Sequence, residues 1–221
     1  MRVYSLNIGR PHLLSKGGRT ISTSINRKPT SDPVLLSPLG FEGDRPADTR
    51  VHGGPDKAVC CYPHEHYDGW REMFDPDLAV PGFGENLTTE GLLETDVCLG
   101  DVFQIGQATV QVTQPRQPCG TLAMKHECKM LPRWINERHF TGFYLRVLAP
   151  GLVRAGDAIT RTRRGHADLT VARMNEIMLD KTSPVDVLER LVSLPELAEA
   201  WKRSFSRRLR AVAGESVSED D

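Results

Sequence analysis

Short apolar alternations broken by glycine and proline run through the first 164 residues, and they limit what this region can fold into. Five segments have the alternation typical of strands, at residues 34–36, 102–105, 108–113, 142–148 and 158–162. A tight turn containing Gly106 joins the second segment to the third. Many short strands at such spacing are typical of a closed or nearly closed β-barrel. We therefore expect a mainly β domain over residues 1–164.

Two helical inserts are expected within this domain. In YPHEHYDGWREMF, the residues Tyr62, His66, Trp70 and Phe74 recur every four positions, and Pro63 suits the first turn of a helix. The segment MLPRWINERHF is a second and shorter candidate. The predicted fold class is thus a β-barrel with helical inserts.

The pattern changes after Arg164. The following residues have no strand alternation, and Ser183-Pro184 and Leu194-Pro195 suit the starts of new helices. Three helices are predicted in residues 165–213, near 170–180, 184–192 and 195–213. Because a unit of about 50 residues is marginally stable alone, this small C-terminal three-helix unit should pack against the barrel. Residues 214–221 are small and acidic, which predicts a disordered tail.

Charge and cysteine content exclude several classes of protein. The formal net charge is −1, so no global attraction to nucleic acid or to an anionic membrane is expected. No stretch approaches the roughly 18 consecutive apolar residues that span a bilayer, and MRVYSLNIGR resembles a strand rather than a secretion signal. Five cysteines, an odd number with one vicinal pair, fit a reducing compartment. We expect a cytoplasmic protein in which any basic site is local.

The segment QVTQPRQPCGTL places Cys119 at the end of a predicted strand. Pro115 and Pro118 end that strand and stiffen the backbone, and Gly120 lets the chain turn. A thiol on rigid backbone is suited to bind a soft metal, and Arg116 would keep it ionised or contact an anion. The alternative is a small packing residue, since many intracellular cysteines are buried and inert.

Several other segments could contribute to an anion-binding site. The segment RVHGGPDKAV sets His52 and Lys57 on either side of a glycine pair, whose backbone amides could approach a phosphate. Arg146 lies on a predicted strand, where it either faces solvent or is aimed at an anion. The remaining candidates are Gly53 and Gly54 themselves, the basic pair Arg27 and Lys28, and Asn86 in GFGENLTT.

A zinc site formed by His52, Cys60, His64 and His66 is disfavoured. Two histidines two positions apart cannot share one face of a helix, and this segment is predicted to be helical. Cys60 and Cys61 lie in the apolar segment AVCCY, which favours a place in the core.

Taken together, five segments resemble the MOSC family, named for the C-terminal domain of molybdenum cofactor sulfurases: GFEGDRPAD, VHGGPDKAVCCYPHEHYDGW, FGENLTTEGLLETDVCLGD, VTQPRQPCGTL and GFYLRVLAPG. They are most similar to the YiiM-like branch, whose C-terminal three-helix extension resembles the chain from DLTVARMNEI onward. The resemblance implies a MOSC-type β-barrel with a pocket for the molybdenum cofactor, a pterin dithiolene with a terminal phosphate.

The resemblance also assigns roles to residues. Cys119 matches the cysteine that ligates molybdenum in the family. The phosphate and pterin of the cofactor need a positive, donor-rich pocket. The residues that could furnish it are Arg27, Lys28, His52, Gly53, Gly54, Asn86, Arg116 and Arg146.

The activity implied by the resemblance is reduction of N-hydroxylated compounds, notably hydroxylaminopurine base analogues, which are thereby detoxified. The reaction joins R–NHOH, two electrons and two protons to give R–NH₂ and water. His52 is a candidate proton donor because the reference pKa of histidine lies near neutrality. No dinucleotide-binding motif of the GxGxxG type follows a strand, so electrons are expected from a separate reductase.

Two alternative functions stay open. The first is a molybdenum cofactor carrier that binds the cofactor and hands it on without turnover. The second is a nucleic-acid-binding module that uses the arginines of KRSFSRRLR, although local acidic residues roughly balance them. The oligomeric state is also left open, a homodimer included.

Overall fold

The computed structural model describes residues 1–49 and 52–213. Its strands are β1 Arg2–Ile8, β2 His12–Lys16, β3 Arg19–Thr23, β4 Lys28–Thr30, β5 Val34–Ser37, β6 Gly40–Phe41, β7 Val59–Pro63, β8 Leu87–Glu90, β9 Val102–Ile105, β10 Ala108–Pro115, β11 Phe143–Ala149, β12 Gly151–Val153 and β13 Ile159–Arg163. Its helices are α1 His66–Met73, α2 Gly120–Lys125, α3 Leu131–Arg138, α4 Val171–Leu179, α5 Val185–Ser193 and α6 Glu199–Val212. A 3₁₀-helix spans Pro55–Lys57.

Eight strands form one mixed sheet in the order β13-β9-β10-β11-β7-β8-β1-β4. The pair β7–β8 is parallel, and the other pairs are antiparallel. A bridge between Arg2 and Ala158 and a 2.9 Å hydrogen bond from Val3 N to Asp157 O bring β1 back to the start of β13. The sheet therefore curls nearly closed around buried aliphatic and aromatic side chains, which confirms the predicted barrel.

The hairpin β9–β10 shows how the local sequence directs this fold. Its two strands begin where the apolar alternation predicts, and Gly106 adopts a φ of 54° in the turn between them. Val110 and Val112 are fully buried, as expected for the inward face of a strand. Smaller sheets are formed by β12, β5 and β6 and by the hairpin β2–β3.

The first helical insert starts later than the sequence predicts. Tyr62 and Pro63 belong to β7, where they pair with β8, and α1 begins only at His66. The predicted start at Pro63 is wrong because strand pairing uses these residues first. Helix α3 matches its prediction, whereas α2, which follows Cys119 directly, was not predicted.

The helical inserts pack on an aromatic core outside the barrel. Trp70 Nε1 donates a 2.6 Å hydrogen bond to Tyr62 Oη, and Tyr62 stacks on Phe83 with a ring separation of 4.3 Å. Leu122 of α2 and Ile135 of α3 are buried against the same core. The four-residue spacing in α1 thus marks the helix face that covers one wall of the barrel.

The C-terminal helices α4, α5 and α6 lie close to their predicted positions. They enclose a core in which Trp201 and Phe205 are buried. The unit docks on the barrel through a bridge between Cys98 and Thr170 and a 3.1 Å hydrogen bond from Ala198 N to Thr113 O. The expected packing against the barrel is therefore confirmed.

The acidic tail predicted at residues 214–221 lies outside the described residues. In residues 1–49 and 52–213, no helix is both long and apolar enough to cross a membrane.

Candidate functional site

A cavity of about 410 Å³ lies beside the junction of β7, β10 and β11. This volume is within the range of pockets that hold small molecules and cofactors. Six of the predicted site residues line it: Arg27, His52, Gly53, Asn86, Arg116 and Cys119. The structure thus brings together residues that lie up to 92 positions apart in the sequence, from Arg27 to Cys119.

Cys119 lies where the chain leaves the barrel. Strand β10 ends at Pro115, the backbone of Cys119 is extended, and α2 begins at Gly120. The Cys119 side chain is partly buried and lines the cavity. The strand end therefore holds this thiol at the cavity wall, as the prolines in the sequence suggested.

Arg116 is a buried cation directed to the same cavity. The residue is only 7% exposed, and its Nη2 donates a 2.5 Å hydrogen bond to Phe83 O. Within the part of the chain that the structure describes, no carboxylate lies within salt-bridge distance of this guanidinium. Because arginine stays protonated in proteins, a buried guanidinium without an acidic partner favours binding of an anion.

Arg27 and Asn86 also line the cavity, but their polar atoms are used within the protein. Arg27 Nε and Nη2 donate to the two oxygens of Asp44 at 2.8 and 2.7 Å, and its Nη1 donates to Gly84 O at 2.6 Å. Asn86 accepts a 3.1 Å hydrogen bond from Cys60 N and donates one of 3.0 Å to Asp44. These residues form part of the wall and hold it in place.

His52 and Lys57 lie on either side of the glycine pair, in the loop that enters the 3₁₀-helix, and both line the cavity. Partial burial lowers the pKa of His52, and the charges of Arg116, Lys57 and Arg27 lower it further, while Asp48 acts in the opposite direction. Burial lowers the pKa of Lys57 as well, and Arg203 adds to this effect. The contributions of Arg116, Lys57 and Arg27 to the shift of His52, although smaller than that of burial, show that cations surround this side of the cavity, where an anion would offset their charge.

The loop between His52 and Lys57 depends on its two glycines. Gly53 and Gly54 have φ values of 76° and 81°, a backbone conformation that glycine adopts at little cost. A Cβ on Gly53 would lie 2.8 Å from Pro46 Cγ. The HGG segment therefore lets the chain turn closely along the cavity wall.

Three predicted site residues do not line the cavity: Lys28, Gly54 and Arg146. Arg146 Nη2 donates to Asp56 Oδ1 at 2.7 Å, and its Nη1 donates to Pro195 O at 3.2 Å. Arg146 follows the cavity residue Tyr144 by two positions, so it lies about 7 Å farther along β11. Arg146 is therefore held by Asp56 and Pro195 outside the cavity, and Lys28 is exposed on β4. A cofactor-binding role for either residue stays a prediction.

Cys60 and Tyr144 are among the cavity residues that sequence reasoning missed. They are register partners across β7 and β11, and both line the cavity, whereas Cys61 lies in the barrel core. Burial raises the pKa of Cys60 and of Tyr144, so the thiol and the phenol stay protonated at neutral pH. The alternation of side chains along a strand could have separated Cys60 from Cys61.

The zinc ligands considered from the sequence do not converge. His66 Nε2 lies 2.7 Å from Glu94 Oε2 in a buried pair, and His64 stacks on Tyr4. Among residues 1–49 and 52–213, no group of three or more His, Cys, Asp or Glu side chains is placed to hold a metal ion. A metal held by Cys119 would therefore have to bring most of its other ligands with it.

Two family models match this chain. The MOSC domain matches residues 48–160, and the YiiM-like 3-alpha helix domain matches residues 169–211. The chain is 43% identical over 206 residues to the uncharacterized protein YflK of Bacillus subtilis, covering 93% of each chain. It is 38% identical over 179 residues to protein YiiM of Escherichia coli, covering 79% of each.

Solved structures give the same result. The crystal structure of YiiM from Geobacillus stearothermophilus matches with a TM-score of 0.80 and 36% identity, covering 94% of this chain and 98% of that one.

A protein of Gibberella moniliformis named reductase is 31% identical over 199 residues, which are 88% of this chain but 35% of that protein.

Proposed function

Because this chain belongs to the MOSC family, we propose that it is a molybdenum-cofactor-dependent oxidoreductase that reduces N-hydroxylated compounds, such as hydroxylaminopurines, to amines. One observation carries the proposal: a buried arginine without an acidic partner in the described structure and a partly exposed thiol, Arg116 and Cys119, share one cavity. The name of the Gibberella relative supports the reductase class.

The donor set of the cavity fits this cofactor. Cys119 offers one soft ligand, and a pterin dithiolene supplies further sulfur ligands of its own, which agrees with the lack of a protein metal cluster among the described residues. Arg116 and Lys57 would provide the positive charge that a terminal phosphate requires, and His52 would offer a hydrogen bond. Arg27 and Asn86 would support the wall without contributing net charge, because Asp44 neutralises Arg27.

When bound, the cofactor would supply the two electrons that cleave the N–O bond, so that R–NHOH, two electrons and two protons give R–NH₂ and water. His52 would carry a proton for this reaction. Its pKa is lowered partly by neighbouring cations, so an anion that neutralises them would raise this pKa towards neutrality. Tyr144 would keep its proton and offer a hydrogen-bond donor in the same cavity.

The electron donor is proposed to be a separate reductase. The cavity residues named above include no dinucleotide-binding glycine motif, and the sequence contains none after a strand. A cytoplasmic location and a small-molecule substrate complete the proposal.

The decisive experiment is the Cys119→Ser substitution in protein expressed in a host that makes the cofactor. We expect molybdenum content to fall at least about tenfold and hydroxylaminopurine reduction with an artificial electron donor to be lost, because the fixed soft ligand is gone. Cys128→Ser is the matched control, since Cys128 is also a partly buried thiol but does not line the cavity. Full turnover by Cys119→Ser would contradict the ligand role.

The same assay separates the enzyme from a carrier. Wild-type protein that binds molybdenum firmly but reduces no N-hydroxylated compound would favour a molybdenum cofactor carrier over a reductase.

A further inference from the structure

The C-terminal three-helix unit reaches the cavity wall through Asp56. This residue lies in the 3₁₀-helix, between the glycine pair and the cavity residue Lys57. Its Oδ1 accepts the 2.7 Å hydrogen bond from Arg146, and its Oδ2 accepts one of 2.9 Å from Glu199 N at the start of α6. One carboxylate thus joins the loop, the barrel strand β11 and the C-terminal unit.

Further contacts reinforce this junction. Thr113 Oγ1 donates a 2.6 Å hydrogen bond to Asp56 O, and Thr113 O accepts the hydrogen bond from Ala198 N. Arg146 binds Pro195 O in the connection between α5 and α6. The start of α6 and Asp56 are therefore held by the same two barrel strands, β10 through Thr113 and β11 through Arg146.

The cavity wall needs such a restraint. Two consecutive glycines precede the 3₁₀-helix, and glycine loses more conformational entropy on ordering than any other residue. Among the described residues, the backbone-to-backbone hydrogen bonds of this segment are local: His52 N to Asp48 O and Lys57 N to Gly54 O, each 3.0 Å. The contacts of Asp56 connect the segment to the rest of the protein.

We propose that Asp56 is a positioning residue, through which the three-helix unit holds residues 52–57 in the conformation that binds an anion in the cavity. That this anion is the phosphate of the cofactor rests on the proposed function, whereas the ordering of the wall does not. The proposal gives the C-terminal unit a role in the site although none of its residues lines the described cavity.

The charges agree with this role. The carboxylate of Asp56 raises the pKa of Lys57, against the larger effects of burial and Arg203. Because α6 carries Arg203, the same contact that orders the wall also brings another cation towards it. Removing the carboxylate would therefore loosen the wall and lower the pKa of Lys57 further.

The test compares Asp56→Asn with wild type by amide hydrogen exchange, and by calorimetric titration with inorganic phosphate at low salt. Loss of charge-assisted hydrogen bonds should speed exchange in residues 52–58 about tenfold and weaken phosphate binding about tenfold. Exchange in α5 should not change, since that helix belongs to the separate core of the unit. Arg146→Gln should act in the same direction, and Asp56→Glu should partly restore both properties.

Asp168→Asn is the matched control, because Asp168, like Asp56, pairs with an arginine, but its partner is Arg190 of α5 and the pair lies away from the cavity. If residues 52–58 of the Asp56→Asn variant exchange at the wild-type rate, the proposal is wrong. Faster exchange with unchanged phosphate affinity would also overturn it, since the order of the wall would then have no bearing on binding. Neither measurement depends on molybdenum or turnover, so failure of the proposed activity would be seen separately.

Discussion

Two arginines are largely removed from solvent but differ in their charged neighbours. Arg116 lies just after β10, and Arg161 lies on β13. Arg161 Nε lies 3.2 Å from Asp101 Oδ2, its Nη2 donates to Asp96, and Arg164 approaches both acids. Asp101 itself is fully buried. Arg116 donates to a backbone carbonyl, Phe83 O, and among the described residues no carboxylate lies within salt-bridge distance of it.

The charges around Arg161 stabilise the fold, whereas those around Arg116 are available to bind a ligand. In the Asp101 cluster, formed by Asp96, Asp101, Arg161 and Arg164, each charge compensates another, and two backbone amides donate to Asp101 at 3.0 and 2.7 Å. Among the cavity residues, Arg27, Lys57 and Arg116 outnumber Asp44 and Asp48, and these three cations add to the effect of burial in lowering the pKa of His52. Such an excess of cations destabilises the folded protein, and binding of an anion offsets this effect.

The largest expected effect comes from breaking the compensated region. Asp101→Ala should lower the free energy of unfolding by about 3–5 kcal/mol, because it leaves two arginines and two buried amides without their partner. Urea denaturation measures this change. Asp168→Ala, which breaks a solvent-exposed pair, should cost less than about 1 kcal/mol. An equal loss of unfolding free energy in the two variants would show that the Asp101 cluster contributes no more to stability than an exposed ion pair.

Arg116→Gln should affect binding and leave stability almost unchanged. Without the charge-assisted contact, affinity for inorganic phosphate and retention of the cofactor should fall roughly 10- to 100-fold. The free energy of unfolding should stay within about 1 kcal/mol of wild type, because a poorly compensated buried charge is removed.

Arg27→Gln is the informative counterpart in the same cavity. It leaves Asp44, a buried carboxylate, without its bidentate partner, so it should destabilise the protein by about 3 kcal/mol. Urea denaturation of both variants decides the matter: if Arg116→Gln is as destabilising as Arg27→Gln, then Arg116 is a structural residue.

The smallest expected effect concerns Lys125 of α2, whose Nζ donates a 2.7 Å hydrogen bond to Gly82 O. Burial lowers its pKa to about 8, and Arg116 adds to this while Glu85 opposes it. The unfolded chain therefore binds more protons than the folded one between pH 8 and the ordinary lysine pKa near 10.4, and stability rises with pH in that window.

Lys125→Met should remove this pH dependence. Relative to the variant, wild type should gain on the order of 2 kcal/mol of unfolding free energy between pH 8 and about pH 10.5. Denaturation at the two pH values measures the gain. A constant difference between the two proteins would mean that Lys125 keeps its usual pKa and that its burial does not disfavour the charged form.

Much of the fold was predictable because it depends on local periodicity. Apolar alternation predicts the strands β9 and β10, and Gly106 predicts the turn between them. The loss of alternation and the positions of proline predict the three C-terminal helices. All of these signals lie within or next to the element that they predict. The start of α1 was not predictable in this way, because pairing with β8 decides whether Tyr62 and Pro63 join a strand or a helix.

The candidate site shows the same division. Residue types and spacing alone determined that this chain carries a thiol at a strand end, with an arginine nearby and a glycine pair elsewhere. Which cations are available to a ligand in the cavity depends on tertiary contacts: Arg146 pairs with Asp56, Arg27 is neutralised by Asp44, and Arg116 has no carboxylate within salt-bridge distance among the described residues. The physical reason is that a charge acts through its distance to other charges and its burial, and both are set by contacts between residues far apart in the chain.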